Sequence, residues 1–226
     1  MLIAPIEVVW NSPAGRDYPL DQICLLGESA EEAFVESCLG CEMWEWLLEN
    51  AEPWPDNVGE WCEGEEYADG DHVTFEGTLY RSLENANTES PAAGGGAWER
   101  PQRFGDIGCA NELWEKYLKK AVAIAVFERT LPFSTARAGA NGLTLLDNGS
   151  QFSGQIFRNG NQAEINSYLK GLESARAGIV AQMMRWANKK AKEGGCQMPL
   201  STVPGCGDTG AGCKAPGHGR RFGFKY

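Results

Sequence analysis

The chain has 226 residues, with 20 Lys and Arg against 31 Asp and Glu, a formal net charge of −11. That balance argues against broad, sequence-independent nucleic-acid binding, because carboxylates repel phosphate. The length suits one large domain or a domain with a small module, and no apolar run reaches the about eighteen residues that a membrane span needs.

The opening segment, MLIAPIEVVW, lacks the basic stretch of a secretory signal. Residues 1–19 read as irregular, with short apolar runs before an NSPAG turn. Leu20–Leu26 reads as a short helix broken at Gly27-Glu28-Ser29. Ser29 and Glu32 have the spacing of a capping box, so a new helix is expected from there to about Asn50. Gly40 weakens that helix or admits another backbone, and Pro53 and Pro55 end it.

From Asn57 to Pro101 the texture changes to aromatics, glycines and β-formers. Turn signals at Asp69-Gly70 and Glu76-Gly77 flank the short runs His72–Phe75 and Thr78–Arg81. A small three-stranded insert is expected. The Leu113–Leu131 stretch repeats apolar residues at three- and four-residue steps, including Leu113, Trp114, Leu118, Val122 and Phe127. This is an amphipathic helix with Lys116, Lys119, Lys120, Glu128 and Arg129 on its wet side. Asp106 or Asn111 caps it and Pro132 stops it. It is expected at the centre of the core.

Asn141-Gly142 and Asn148-Gly149 suggest a β-hairpin or arm. A second long helix begins near Asn161, carries Ile165, Leu172, Ile179, Met183 and Trp186, and ends at Glu193-Gly194-Gly195 with lysines in its last turn. From Cys196 onward glycine, proline and polar residues dominate, forming a tail that stays loose or docks on something. The fold expected is mainly α, α+β overall. It divides into a discontinuous helical core (1–56 with 102–195), a β insert (57–101) and a C-terminal arm (196–226).

Charge is segregated along the chain. No Lys or Arg stands between Arg16 and Arg81, whereas Arg176, Arg185, Lys189, Lys190, Lys192, Lys214, Arg220, Arg221 and Lys225 concentrate near the end. Either these are two solvated faces, or the basic end of one copy meets the acidic face of another, a head-to-tail contact. The eight cysteines are ambiguous. Without an export signal, reduced thiols are the default. Cys38 and Cys41 form a CxxC within a helical pattern, where they pack as small apolar residues. Cys196, Cys206, Cys213 and His218 match no strong zinc spacing, so neither metal nor cofactor is expected.

Two resemblances add to this reading. Trp61, Tyr67, Gly70-Asp71, Val73, Gly77, Leu79-Tyr80 and Trp98-Glu99 follow the pattern of the small chitin- and cellulose-binding modules of type 5/12. The resemblance implies sugar stacking on Trp61, Tyr67, Tyr80 and Trp98; alternatively those rings are the module's own core. Ser82–Asn85 stands where that family has a further Trp pair, a shortened form associated with bacteriophage structural proteins.

The remainder resembles the head–tail connector, or head-completion adaptor, proteins of tailed bacteriophages. The likeness lies in the order of a capped helix ending MWEWLL, the LWEKYLKKAVAIAVFERTLPF helix, an N-G-L turn, the Ile165–Lys192 helix and an extended tail. It implies a virion neck protein assembled in the host cytoplasm. Copies would form a ring, usually of twelve, between portal and tail or further neck proteins, with DNA passing through the lumen without sequence-specific binding. The subunit or portal interface would draw on Arg185, Lys189, Lys190, Arg220, Arg221, Phe222, Phe224 and Tyr226. The alternative is a carbohydrate-binding protein that adsorbs to a glycan surface through residues 57–101. Catalysis is not expected: His72 and His218 are the only histidines, and neither lies in a nucleophile, metal or phosphate-loop motif.

Overall fold

A computed structural model describes residues 1–14, 18–55, 58–93, 96–134, 136–139, 142–145, 162–200 and 203. The protein is mainly α with a small sheet. Helices α1 (Pro5–Asn11), α2 (Leu20–Leu39) and α3 (Cys41–Asn50) precede a four-stranded sheet made of β1 (Gly59–Glu60), β2 (His72–Phe75), β3 (Thr78–Ser82) and β4 (Trp98–Glu99). Then come α4 (Gly108–Leu113), one π turn (Trp114–Leu118), α5 (Lys119–Ser134), a hairpin of β5 (Ala136–Gly139) and β6 (Gly142–Leu145), and α6 (Gln162–Glu193).

Helix α5 is the hub. Ala121 through Phe127 are seven consecutive buried residues, so apolar partners must surround it on all sides rather than along one stripe. Helices α1, α2 and α6 pack on it. Ile23, Phe34, Val35 and Leu39 from α2, Met43, Trp44 and Leu47 from α3, and Met183, Trp186 and Ala187 from α6 join it in one continuous core. Phe104 and Trp114 meet edge to face, with ring centroids 6.1 Å apart. Tyr18 meets Phe127 similarly at 5.2 Å and donates its hydroxyl to Thr130 at 2.8 Å.

Several expectations need correction. Residues 5–11 are helical, with Pro5 in the first turn and Glu7 accepting the Ala4 N–H; seven residues are too few for a 3.6-residue period to register. Gly27 does not break α2, and Ser29 lies mid-helix with its hydroxyl donated to the Leu26 carbonyl. Gly27 is instead a point of close approach, where a Cβ would come within 2.8 Å of the Met1 methyl. The break falls at Gly40, whose φ of +85° favours glycine and separates α2 from α3. Asn111 lies inside α4 rather than at its cap. Its carboxamide accepts the Phe104 N–H and donates to the Gly105 carbonyl. Helix α5 runs two residues past Pro132.

The sheet has four strands in sequence order. The first pair is parallel and the others antiparallel. That is one strand more than expected; β1 and β4 have two residues each, too short for alternation to be visible in sequence. Gly77 joins β2 to β3 with φ +70°, and a Cβ there would run into the Trp10 side chain, so this turn docks on α1.

The default of reduced thiols is also corrected. Helix α6 returns along α5 and the π turn, and Cys109 and Cys196 come to a Cα separation of 6.1 Å, where they form a disulfide across 87 residues of sequence. Cys41 is disulfide-bonded as well, whereas Cys24, Cys38 and Cys62 are free. The start of the arm docks: Met198, Leu200 and Val203 are buried in the main core. Asn148-Gly149 and all residues from 204 onward lie outside the described residues.

Two outcomes follow. Gly77→Ala should cost about 2 kcal/mol, because it adds both a strained φ and a clash with Trp10; urea unfolding measures it. Cys109→Ala with Cys196→Ala should lower stability by about 2–4 kcal/mol, since closing a long loop restricts the unfolded chain. Wild-type protein in reductant should lose at least as much, because the disulfide of Cys41 opens as well.

Candidate functional site

Three regions carry the residues of functional interest. The first is the aromatic set on the sheet. Register places Val73, Tyr80, Ser82 and Trp98 on one face, and His72, Leu79, Arg81 and Glu99 on the other. Tyr67 meets Trp98 edge to face with centroids 5.5 Å apart, and Trp61 meets Phe75 at 5.7 Å. The Trp98 indole donates to the Glu89 carbonyl, and the Tyr67 hydroxyl accepts the Cys62 N–H. All four candidate sugar-binding rings are half-buried. The rings of Trp61, Tyr67 and Trp98 thus pack within the sheet unit and do not form one coplanar platform.

The second region is a cleft of about 400 Å³ between the opposite face of the sheet and the helices. Trp54, His72, Arg81, Arg103, Glu7 and Lys119 are among its lining residues. Its floor is a buried ion pair, Lys119 Nζ to Glu7 Oε1 at 2.6 Å. This corrects the expectation that Lys119 lies on the wet side of its helix. The π turn at 114–118 shifts the residues that follow it by about 100° around the axis, and α1, invisible in the sequence, supplies the carboxylate. At the rim, Arg81 pairs with Glu99 and Arg100 with Glu115. Arg103 donates to the carbonyls of Glu52 and Met1, tying the N-terminal segment to the chain that leaves the sheet.

Close to this cleft, Glu31 is fully buried and accepts the N–H groups of Leu2 and Ile3 at 2.8 and 3.0 Å. Two effects oppose each other there. Burial penalises the charged carboxylate, while the two N–H donors favour it. Burial prevails and raises the pKa to about 7. Burial likewise pulls the Arg103 guanidinium down, against the attraction of Glu7, Glu31 and Glu52.

The third region is the pair of charged outer faces. On α2, Asp21, Leu25, Glu28, Glu32 and Glu36 follow one another at three- and four-residue steps, and all are exposed. Glu42, Glu45 and Glu49 continue this on α3. None of these acids forms an ion pair among the described residues. On α6, Ser167, Gly171, Ser174, Gly178, Arg185, Lys189 and Lys192 lie on one exposed face, small at its start and basic at its end. Lys190 does not belong to that face. It is half-buried, pairs with Glu112 at 3.4 Å and sits over the Trp186 ring. Arg220, Arg221, Phe222, Phe224 and Tyr226 lie outside the described residues.

Among the described residues no group of His, Cys, Asp and Glu could hold a metal ion, and no helix is long and apolar enough to cross a membrane. The chain matches no family model, and neither a curated protein nor a solved structure matches it significantly.

Sequence reasoning missed the cleft because its floor joins residues 112 positions apart on α1 and α5. The one available signal was an unpartnered Glu7 in an otherwise apolar opening segment.

Glu31 sets a pH dependence. The folded chain holds this proton from about pH 4.5 to about pH 7, where the unfolded chain has already lost it. Stability therefore falls as pH rises through that window, by on the order of 3 kcal/mol. Urea unfolding from pH 5 to pH 8 should show the decline, and Glu31→Gln should flatten it. A rise in wild-type stability across the window would mean that the Leu2 and Ile3 donors dominate instead.

Proposed function

We propose that this protein is a structural virion component, a head–tail connector whose copies form a ring between portal and tail. The observation that carries the reading is the division of α6. Its 32 residues span about 48 Å, yet among the described residues only its second half, from Ile179 and Val180 through Met183, Trp186 and Ala187 to Ala191, joins the main core. The earlier part touches a satellite cluster through Leu172, facing Ile124 and Phe127, and leaves Tyr168 45% exposed.

A helix of this length that is only partly clothed by the described residues suits burial against a sister subunit. The β5–β6 hairpin, which precedes it in the chain, offers a second element for such contacts. The net charge of −11 suits passage of DNA without adhesion. Rigid packing around α5 and the disulfide at the foot of α6 suit a load-bearing part. The portal, neighbouring neck or tail proteins, and further copies of this chain are the partners in this reading.

Negative-stain images test it. Annular particles should appear with the purified protein alone or after mixing with portal. Tyr168→Asp should reduce ring formation at least tenfold while leaving the melting temperature unchanged. Absence of rings under both conditions would refute the connector reading.

A further inference from the structure

Resting on the connector reading, we infer that copies associate head to tail, with the acidic outer face of α2 and α3 receiving the basic outer face of α6 from a second copy. The acidic face is Asp21, Glu28, Glu32 and Glu36 along α2, extended by Glu42, Glu45 and Glu49 on α3. Leu25 stands among them with 80% of its surface exposed, and Leu48 with 44%. The basic face is Arg185, Lys189 and Lys192. Lys189 reaches only Glu193 of its own helix, at 3.6 Å and well exposed, and Arg185 and Lys192 have no ion pair among the described residues.

Three features favour a second copy over solvent. First, these acids form no ion pair among the described residues, although the chain has cations there to spare. Those that lie inward are committed: Lys119 to Glu7, Arg176 to Glu128 and Lys190 to Glu112. Arg185 and Lys192 on the α6 face are not used in this way, and neither are Lys120, Arg129 and Lys170 elsewhere among the described residues. Second, like charges in a row along one helix face repel at four-residue spacing, and a complementary face removes that penalty when it binds. Third, the acidic face carries an exposed leucine between Asp21 and Glu28, and the α6 face beside its cations is made of Ser167, Gly171, Ser174 and Gly178. No neighbouring atom lies near either glycine. Small residues let a partner helix approach closely, and an apolar anchor inside a charged surround gives such a contact its affinity, while the charges give orientation.

The two faces are on different helices and differ in chemistry. The contact is therefore heterologous, and it propagates from copy to copy until rotation closes it into a ring. Two acidic faces, or two basic ones, cannot pair, so back-to-back dimers are disfavoured.

Charge reversal tests this with the full chain. In sedimentation velocity at low salt the wild type should self-associate, and it should dissociate in 1 M NaCl, where the screening length is about 3 Å. Glu28→Lys with Glu32→Lys and Glu36→Lys should weaken association at least tenfold. So should Arg185→Glu with Lys189→Glu and Lys192→Glu. The chain carrying all six changes should associate again, because each face then meets its complement. Circular dichroism melts confirm that every variant folds. Restoration in the sixfold variant is the result expected. Association unaffected by either triple reversal, or not restored by their combination, would overturn the pairing while leaving the ring reading intact. A wild type that is monomeric at low salt would also overturn it; the connector reading would then stand or fall on images taken with portal.

Discussion

The structure depends on keeping water from a helix that has no wet side over two full turns. Ala121 to Phe127 are buried at every position, so α5 is stable only when covered all round. Helices α1, α2 and α6 do this from different directions, and each is drawn into place by the same requirement. Small residues in that stretch, Ala121, Ala123 and Ala125, let the covering backbones come close. The arm beyond α6 completes the enclosure with Met198, Leu200 and Val203, and the Cys109–Cys196 disulfide fastens it near α4.

Enclosure on all sides has an electrostatic consequence. Where α1 crosses α5, Glu7 and Lys119 are removed from water together. Such a pair is near neutral for stability when intact and costly when halved; its value is in fixing how α1 lies. Glu31 forms no ion pair among the described residues, and two backbone N–H groups with the attraction of Arg103 and the N-terminus offset its burial only in part, so its proton stays on to about pH 7. Arg103 completes the arrangement by holding the Met1 and Glu52 carbonyls. These buried ionic groups orient the N-terminal segment, and the turn at Gly77 then seats the sheet against Trp10. The cleft between sheet and helices is a by-product of that seating.

The outside of the molecule is organised differently. Lys119, Arg176 and Lys190 are each matched to a carboxylate and Arg103 to backbone carbonyls, whereas the charged outer stripes of α2 and α6 are each of a single sign. A chain folded for itself alone would gain by interspersing those signs. Their segregation, together with the exposed stretch of α6 around Tyr168, ties the proposed assembly to physical features rather than to likeness of pattern alone.

Periodicity determined a good deal. The mainly helical class, the β texture of residues 57–101, the position of α5 at the centre and the extent of α6 to Glu193 all follow from spacing that survives without tertiary context. So does the charge split, since runs of like sign are visible residue by residue. Other features were decided by the tertiary structure, because they join residues far apart in the chain. Helix α1 is too short to be stable without the core it covers. Gly27 is tolerated within α2 because Met1 fills the space beside it, and Gly40 becomes the break because the chain must turn there. Lys119 reads as a surface lysine until Glu7 is brought beside it. Tyr67 and Trp98 stand out in the sequence as aromatic residues of the insert, but that they meet edge to face is seen only in the fold. A local pattern encodes which face of an element is apolar; only packing decides what that face meets.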